Sequence, residues 1–152
     1  MKYALLLLML TCSSWVAAQK VAIEDSLVTV DGRPYCRMDK IPGDAGSFKV
    51  KDLEGRTCIY IRLRGYKDPA TINEHDPYGN TPYYEWTFMA SGAKAETDGN
   101  TRKGIAKLIV QAELFKGGAL NAEAERNFVL IEGMPHTQRQ QQLGHPVIIL
   151  ER

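Results

Sequence analysis

Glu74-His75-Asp76 sets two carboxylates beside an imidazole, the residue types that poise a general base or help to hold a divalent cation. Consecutive residues seldom ligate one ion without help from elsewhere in the chain. The other histidines, His136 and His145, both lie in a polar stretch without clear periodicity. Asp76-Pro77-Tyr78-Gly79-Asn80 is turn composition, so the plainer reading of the trio is a solvated turn. A small metal-assisted hydrolase using Glu74, His75 and Asp76 stands as the enzymatic alternative.

Aromatic residues make the second cluster. Tyr84 and Trp86 alternate with Phe88 and are expected in a core, whereas Tyr78 and Tyr83 flank Gly79, Asn80 and Pro82. Exposed tyrosines in such loops give broad contact area at small entropic cost, which makes His75, Tyr78 and Tyr83 the candidate binding residues. Arg102, Lys103 and Lys107 form a row expected to be a solvated helix face. No phosphate-cradling glycine loop, no cysteine pair at metal spacing, no His-Glu-x-x-His and no nucleophile elbow is present. The sequence therefore nominates no catalytic residue, no metal ligand set and no cofactor.

The first half of the chain is written as strands. Val21 to Glu24 is β-prone, Ser26 to Val30 alternates, Asp31-Gly32 suits a two-residue turn, and Arg33 to Met38 returns. Ser47 to Leu53 pairs with Thr57 to Leu63, and Tyr83 to Met89 with Ala93 to Glu96. Gly65 to Pro82 shows neither helical nor strand period, and a long aperiodic loop inside a compact domain tends to be functional. From Arg102 to Lys116, Ile105, Leu108, Ile109, Ala112 and Phe115 fall at helical spacing, ended by Gly117-Gly118. A second helix is expected from an Asn121 cap, with Glu123 and Glu125 in its first turn, Phe128 and Ile131 buried, and Gly133 as its stop. The apolar Val147-Ile148-Ile149-Leu150 is expected to pack as a closing segment. The fold class that results is α+β: a mainly antiparallel sheet of about five to seven strands with two C-terminal-half helices packed on it.

Lys2, the run Ala4 to Leu10 and the small residues Val16-Ala17-Ala18 read as a secretory leader over residues 1–18, which leaves one globular domain over 19–152. A lipoprotein leader acylated at Cys12 is the weaker alternative, because Thr11 stands where a smaller residue belongs. Of 19 Lys and Arg residues only Lys2 lies in this leader, and none of the 18 acidic ones does, so the remainder carries no formal net charge. Balanced charge gives no case for nucleic acid, and no membrane span is expected after cleavage. Cys36 and Cys58 remain as a possible disulfide favoured by an oxidising compartment, although their phases differ: Cys36 falls in step with Met38, Cys58 in step with Tyr60.

Lys-Val-Ala-Ile after the leader, Val-Asp-Gly-Arg-Pro, Asp-Leu-Glu-Gly, Tyr-Tyr-Glu-Trp-Thr-Phe, Gly-Ile-Ala-Lys-Leu-Ile and Asn-Ala-Glu-Ala-Glu-Arg-Asn-Phe together resemble small exported proteins of Bacteroidetes-type bacteria that have no assigned activity. The resemblance implies export and a single domain, and transfers no site residue. The leading expectation is thus a secreted or periplasmic binding or structural domain of the cell envelope. Its ligand would be a protein, a glycan or a small molecule; a lipid or small-molecule carrier is a further alternative. Amino-terminal sequencing of the native product is expected to begin at or near Gln19; a product retaining Met1 would refute export.

Overall fold

The computed structural model describes residues 19–144, so the expected leader over residues 1–18 and the expected closing segment Val147–Leu150 lie outside the described residues. Seven strands follow one another in the chain and in the sheet: β1 (Val21–Glu24), β2 (Leu27–Val30), β3 (Arg33–Lys40), β4 (Phe48–Lys51), β5 (Thr57–Lys67), β6 (Asn80–Phe88) and β7 (Lys94–Asp98). Each pairs antiparallel with its neighbours in sequence. Asp31 (φ 50°) and Gly32 (φ 78°) supply the two positive dihedrals of the β2–β3 turn that their types suggested. The α+β class is as expected, with the sheet at its fullest expected size.

Period-two alternation assigns the faces. Val28, Met38, Val50, Ile59, Ile61, Trp86, Phe88 and Ala95 all lie fully buried on one side. Two helices, α1 (Arg102–Gln111) and α2 (Ala122–Glu132), cover that inner side, α1 beside β1 and α2 beside β7. Ile105 and Ile109 of α1 and Phe128 of α2 enter the same core. The Phe128 ring sits 4.9 Å from Trp86 and 6.0 Å from Phe88, and the buried Trp86 indole donates to Thr97 Oγ1 at 2.9 Å, so its one polar atom is satisfied. Arg102 is no free surface cation: one guanidinium nitrogen donates to the carbonyls of Asp25 and Met38 at 2.7 and 2.8 Å, tying α1 to β3.

Several expectations are corrected. Helix α1 stops at Gln111 rather than Lys116, because Glu113 takes the left-handed conformation (φ 52°). Glu113 N–H donates to Val110 O and Leu114 N–H to Ile109 O, the paired bonds of a Schellman ending, with Leu114 buried behind it. Phe115 is therefore buried from a small hairpin, β8 (Phe115–Lys116) and β9 (Ala119–Leu120), whose turn is Gly117-Gly118 at φ 61° and 85°. Leu108 is only half-buried. Helix α2 has the expected Asn121 cap, accepting from Glu123 N–H and Ala124 N–H, and buries Phe128, but Ile131 is 79% exposed. Phe128 and Ile131 are three residues apart, and the core-facing stripe continues instead through Ala124 and Glu125, whose carboxylate meets the Ser91 hydroxyl. The polar stretch after Gly133 is not irregular but forms a third helix, α3 (Pro135–Gln142).

Cys36 and Cys58 are free thiols. They stand on β3 and β5 with β4 between them, and strands spaced about 4.8 Å apart put them near 10 Å, beyond the roughly 7 Å that a disulfide spans between Cα atoms. Burial, with the Cys58 thiol nearby, pushes Cys36 up to about 12. A register shift between Val50 and Lys51 lets Cys58 pack at the margin of the core despite its phase.

Because Glu113 holds a dihedral that glycine adopts without strain, Glu113→Gly is expected to raise unfolding stability by roughly 0.5 to 1 kcal/mol in urea melts. A loss of stability would mean that the Glu113 side chain contributes more than its backbone costs.

Candidate functional site

The ladder between β5 and β6 runs unbroken from Ile59↔Phe88 to Lys67↔Asn80. The aperiodic segment is therefore shorter than Gly65 to Pro82, since both strands continue into it and leave a loop over 68–79. Gly65, Lys67, Asn80 and Pro82 hid this extension, because their side of the sheet projects past the helices and carries no apolar alternation to read.

Loop residues bond mainly to one another. Asp68 N–H donates to Gly79 O at 2.8 Å and closes the base. Asp68 Oδ1 accepts from Ala70 N–H, capping a short 3₁₀ turn over Pro69–Thr71 with proline at its first position. Asn73 Oδ1 accepts from His75 N–H and Asp76 N–H at 2.9 and 3.0 Å. Asp76 accepts from Tyr78 N–H at 3.1 Å and Asn80 N–H at 2.6 Å, and also from the Asn80 side-chain amide. Gly79 has φ +63°, and a Cβ there would stand 2.3 Å from Asp68 O, so only glycine closes this loop.

Braced in this way, the loop presents Tyr78, 67% exposed, with Lys67 Nζ 5.7 Å from its ring centre. His75, Glu74 and Ile72 are exposed beside it. A shallow depression of about 330 Å³ adjoins it at the strand ends, lined by Gly65, Tyr66, Lys67, Asn80, Thr81 and Pro82. Among the described residues the Glu74-His75-Asp76 trio gathers no further ligand. Both Asp76 oxygens are engaged in the turn, His136 belongs to α3, and His145 lies outside the described residues. Among the described residues no group of three or more His, Cys, Asp or Glu side chains is placed to hold a metal ion.

Tyr83 is not presented with Tyr78. It lies on the outer face of the sheet, 7% exposed, beneath α3. The His136 ring stacks on it at 4.5 Å, Gln140 Nε2 donates to its hydroxyl at 3.2 Å, and burial raises its pKa. Tyr66 meets both rings edge-on, with its hydroxyl 3.4 Å from His136 Nδ1. His136 Nε2 lies 3.1 Å from the exposed Asp98 carboxylate at an angle that makes no hydrogen bond. Met134 offers α3 no side-chain cap; instead the buried Glu96 carboxylate of β7 accepts from Thr137 N–H at 2.9 Å and from its hydroxyl at 2.5 Å. Farther along α3, Arg139 makes a two-pronged contact with Asp68, Nε to Oδ2 at 2.6 Å and a terminal nitrogen to Oδ1 at 2.9 Å.

Asp68 thus serves the loop and α3 together, a role sequence reading missed. Two signals for α3 were present: Pro135 soon after Gly133, as at a first helical position, and His136, Arg139 and Gln140 at three- and four-residue spacing. Compared with protein-family models, curated proteins and solved structures, the chain matches none.

The Arg139 bonds, helped by Ala70 N–H, hold Asp68 at about 2, below its ordinary 3.8. A depressed carboxyl contributes stability that is fully present above the unfolded pKa and is lost as pH falls through the folded one. Amide-exchange protection of α3 and of Asp68–Gly79 is therefore expected to fall between pH 4 and pH 2, and Asp68→Asn should show reduced protection already at pH 6. Unchanged protection in that variant would show that Arg139 does not hold the helix.

Proposed function

We propose that this protein is an exported binding domain of the cell envelope or extracellular space, without catalytic activity, and that the loop over 68–79 is its contact surface. The observation that carries the reading is Tyr78: a large aromatic side chain left in solvent by a loop whose backbone is otherwise bonded. A rigid tyrosine gives contact area with few rotamers to freeze on binding. Lys67 on its ring and the depression beside it add a cation and an apolar floor. Export rests on the Lys2 and Leu-rich leader pattern. No helix among the described residues is long and apolar enough to cross a membrane.

The hydrolase reading has less support, since Asp76 is engaged in the turn, His75 is exposed, and among the described residues no group of three or more His, Cys, Asp or Glu gathers to hold a metal ion. A carrier needs room between its layers, where Trp86, Phe88, Ile105, Ile109 and Phe128 lie packed.

Replacing Tyr78 and His75 together with alanine is expected to leave thermal unfolding within about 2 °C of the parent, as for exposed sites. Recovery of the native partner from envelope and culture-medium fractions should fall about tenfold. Recovery equal to the parent's would remove the loop from the binding surface, and cooperative unfolding of the variant would make the loop structural.

A further inference from the structure

The sheet face opposite α1 and α2 has a distinct chemistry. Cross-strand register puts Arg37 opposite Lys51, Lys49 opposite Tyr60 and Arg62 opposite Glu85, with Arg64 next along β5. All of them alternate with core residues and so point away from the core. Two carboxylates answer part of this charge: Asp39, in register with Lys49, holds Lys51 at 2.7 Å, and Glu85 lies 3.6 Å from Arg64 and 3.8 Å from Lys94. Among the described residues no carboxylate lies within 4.0 Å of the charged groups of Arg37, Lys49 or Arg62. Tyr60 lies at the centre, with Lys49 Nζ 5.5 Å and the Arg62 guanidinium carbon 6.0 Å from its ring centre. Helix α3 covers this face only around Tyr66, Tyr83 and Glu96.

Like charges set directly opposite each other, as Arg37 and Lys51 are, weaken a sheet. On a chain with 19 basic and 18 acidic residues, such segregation is a local arrangement and not a consequence of composition. We propose that this face binds a uronate-bearing acidic polysaccharide, its carboxylates taken by Lys49, Arg62 and Arg37 and one sugar ring resting on Tyr60. Guanidinium groups match carboxylates in a planar fork. Same-face positions recur about every 6.6 Å along a strand and about every 4.8 Å across strands, an extended lattice suited to a repeating anion. Nucleic acid fits less well, because a single aromatic makes no stacking platform and the chain's basic excess is a single charge. An anionic bilayer fits less well too, since none of the exposed large hydrophobic side chains projects from this face of β3, β4 or β5. This surface is separate from the Tyr78 loop and does not depend on it.

The test is affinity electrophoresis of the purified chain through gels containing polygalacturonate, with neutral dextran, a single-stranded oligonucleotide and anionic phospholipid vesicles as comparisons. Retardation by polygalacturonate is expected, weakening as salt rises. Lys49→Gln with Arg62→Gln should lower that affinity about tenfold, and Tyr60→Ala about fivefold with Tyr60→Phe retaining it. Lys103→Gln with Lys107→Gln on α1 removes the same charge elsewhere and should bind like the parent, as should Tyr78→Ala. Absence of retardation at low ionic strength, equal loss in the Lys49/Arg62 and the Lys103/Lys107 double variants, or tighter binding of the oligonucleotide or vesicles would each overturn the proposal. Melting temperatures of these surface variants should match the parent, which separates lost binding from lost fold.

Discussion

Strand β6 has to satisfy two layers at once. Its residues alternate without interruption, so Tyr84, Trp86 and Phe88 face the core while Tyr83 and Glu85 face the other way, and a one-residue slip would exchange the sets. Phe128 fixes α2 against Trp86 and Phe88; His136 fixes α3 against Tyr83. The register of this strand with β5 thereby places both helices, and by ending at Lys67↔Asn80 it also sets where the loop begins.

What could be read from the residues followed from this alternation. The β2–β3 hairpin, the β6 core residues and the Asn121 cap each have a local chemical signature, and each stands where that signature puts it. Elements that depend on distant residues were hidden. The end of α1 rests on Glu113, a residue type that seldom signals a left-handed turn, and α3 rests on a carboxylate from β7 and an aspartate at the end of β5. Tyr83, at the start of the expected strand Tyr83 to Met89, looked like an exposed contact residue because the helix covering it is polar along its length, with Arg139 and Gln140 bonding where apolar side chains would otherwise pack.

The candidate loop illustrates the same division. Its turn residues Asp76, Gly79 and Asn80 announce a tight, self-bonded segment, and Tyr78 announces exposure. Nothing near them in sequence announces that the first loop residue is held from α3. The bidentate contact crosses from Asp68 to Arg139, 71 positions later, and only the three-dimensional arrangement joins them.

The order of strands in this sheet bears on how the chain acquires its shape. Each of β2 to β7 pairs with the strand just before it, so apart from the 68–79 loop each ladder closes over a short connection and the sheet can zip forward from its first hairpin. Long-range bonds come later: Arg102 reaches back to Asp25 and Met38, Phe115 to Tyr35, and α3 to Tyr66 and Asp68 after the whole sheet and two helices have been laid down. The α3 contacts carry the largest loop-closure entropy among the bonds that hold the segment over 68–79. The sheet therefore gains its hairpins early, whereas the Asp68 end of that segment takes its final support only when residue 139 is in place.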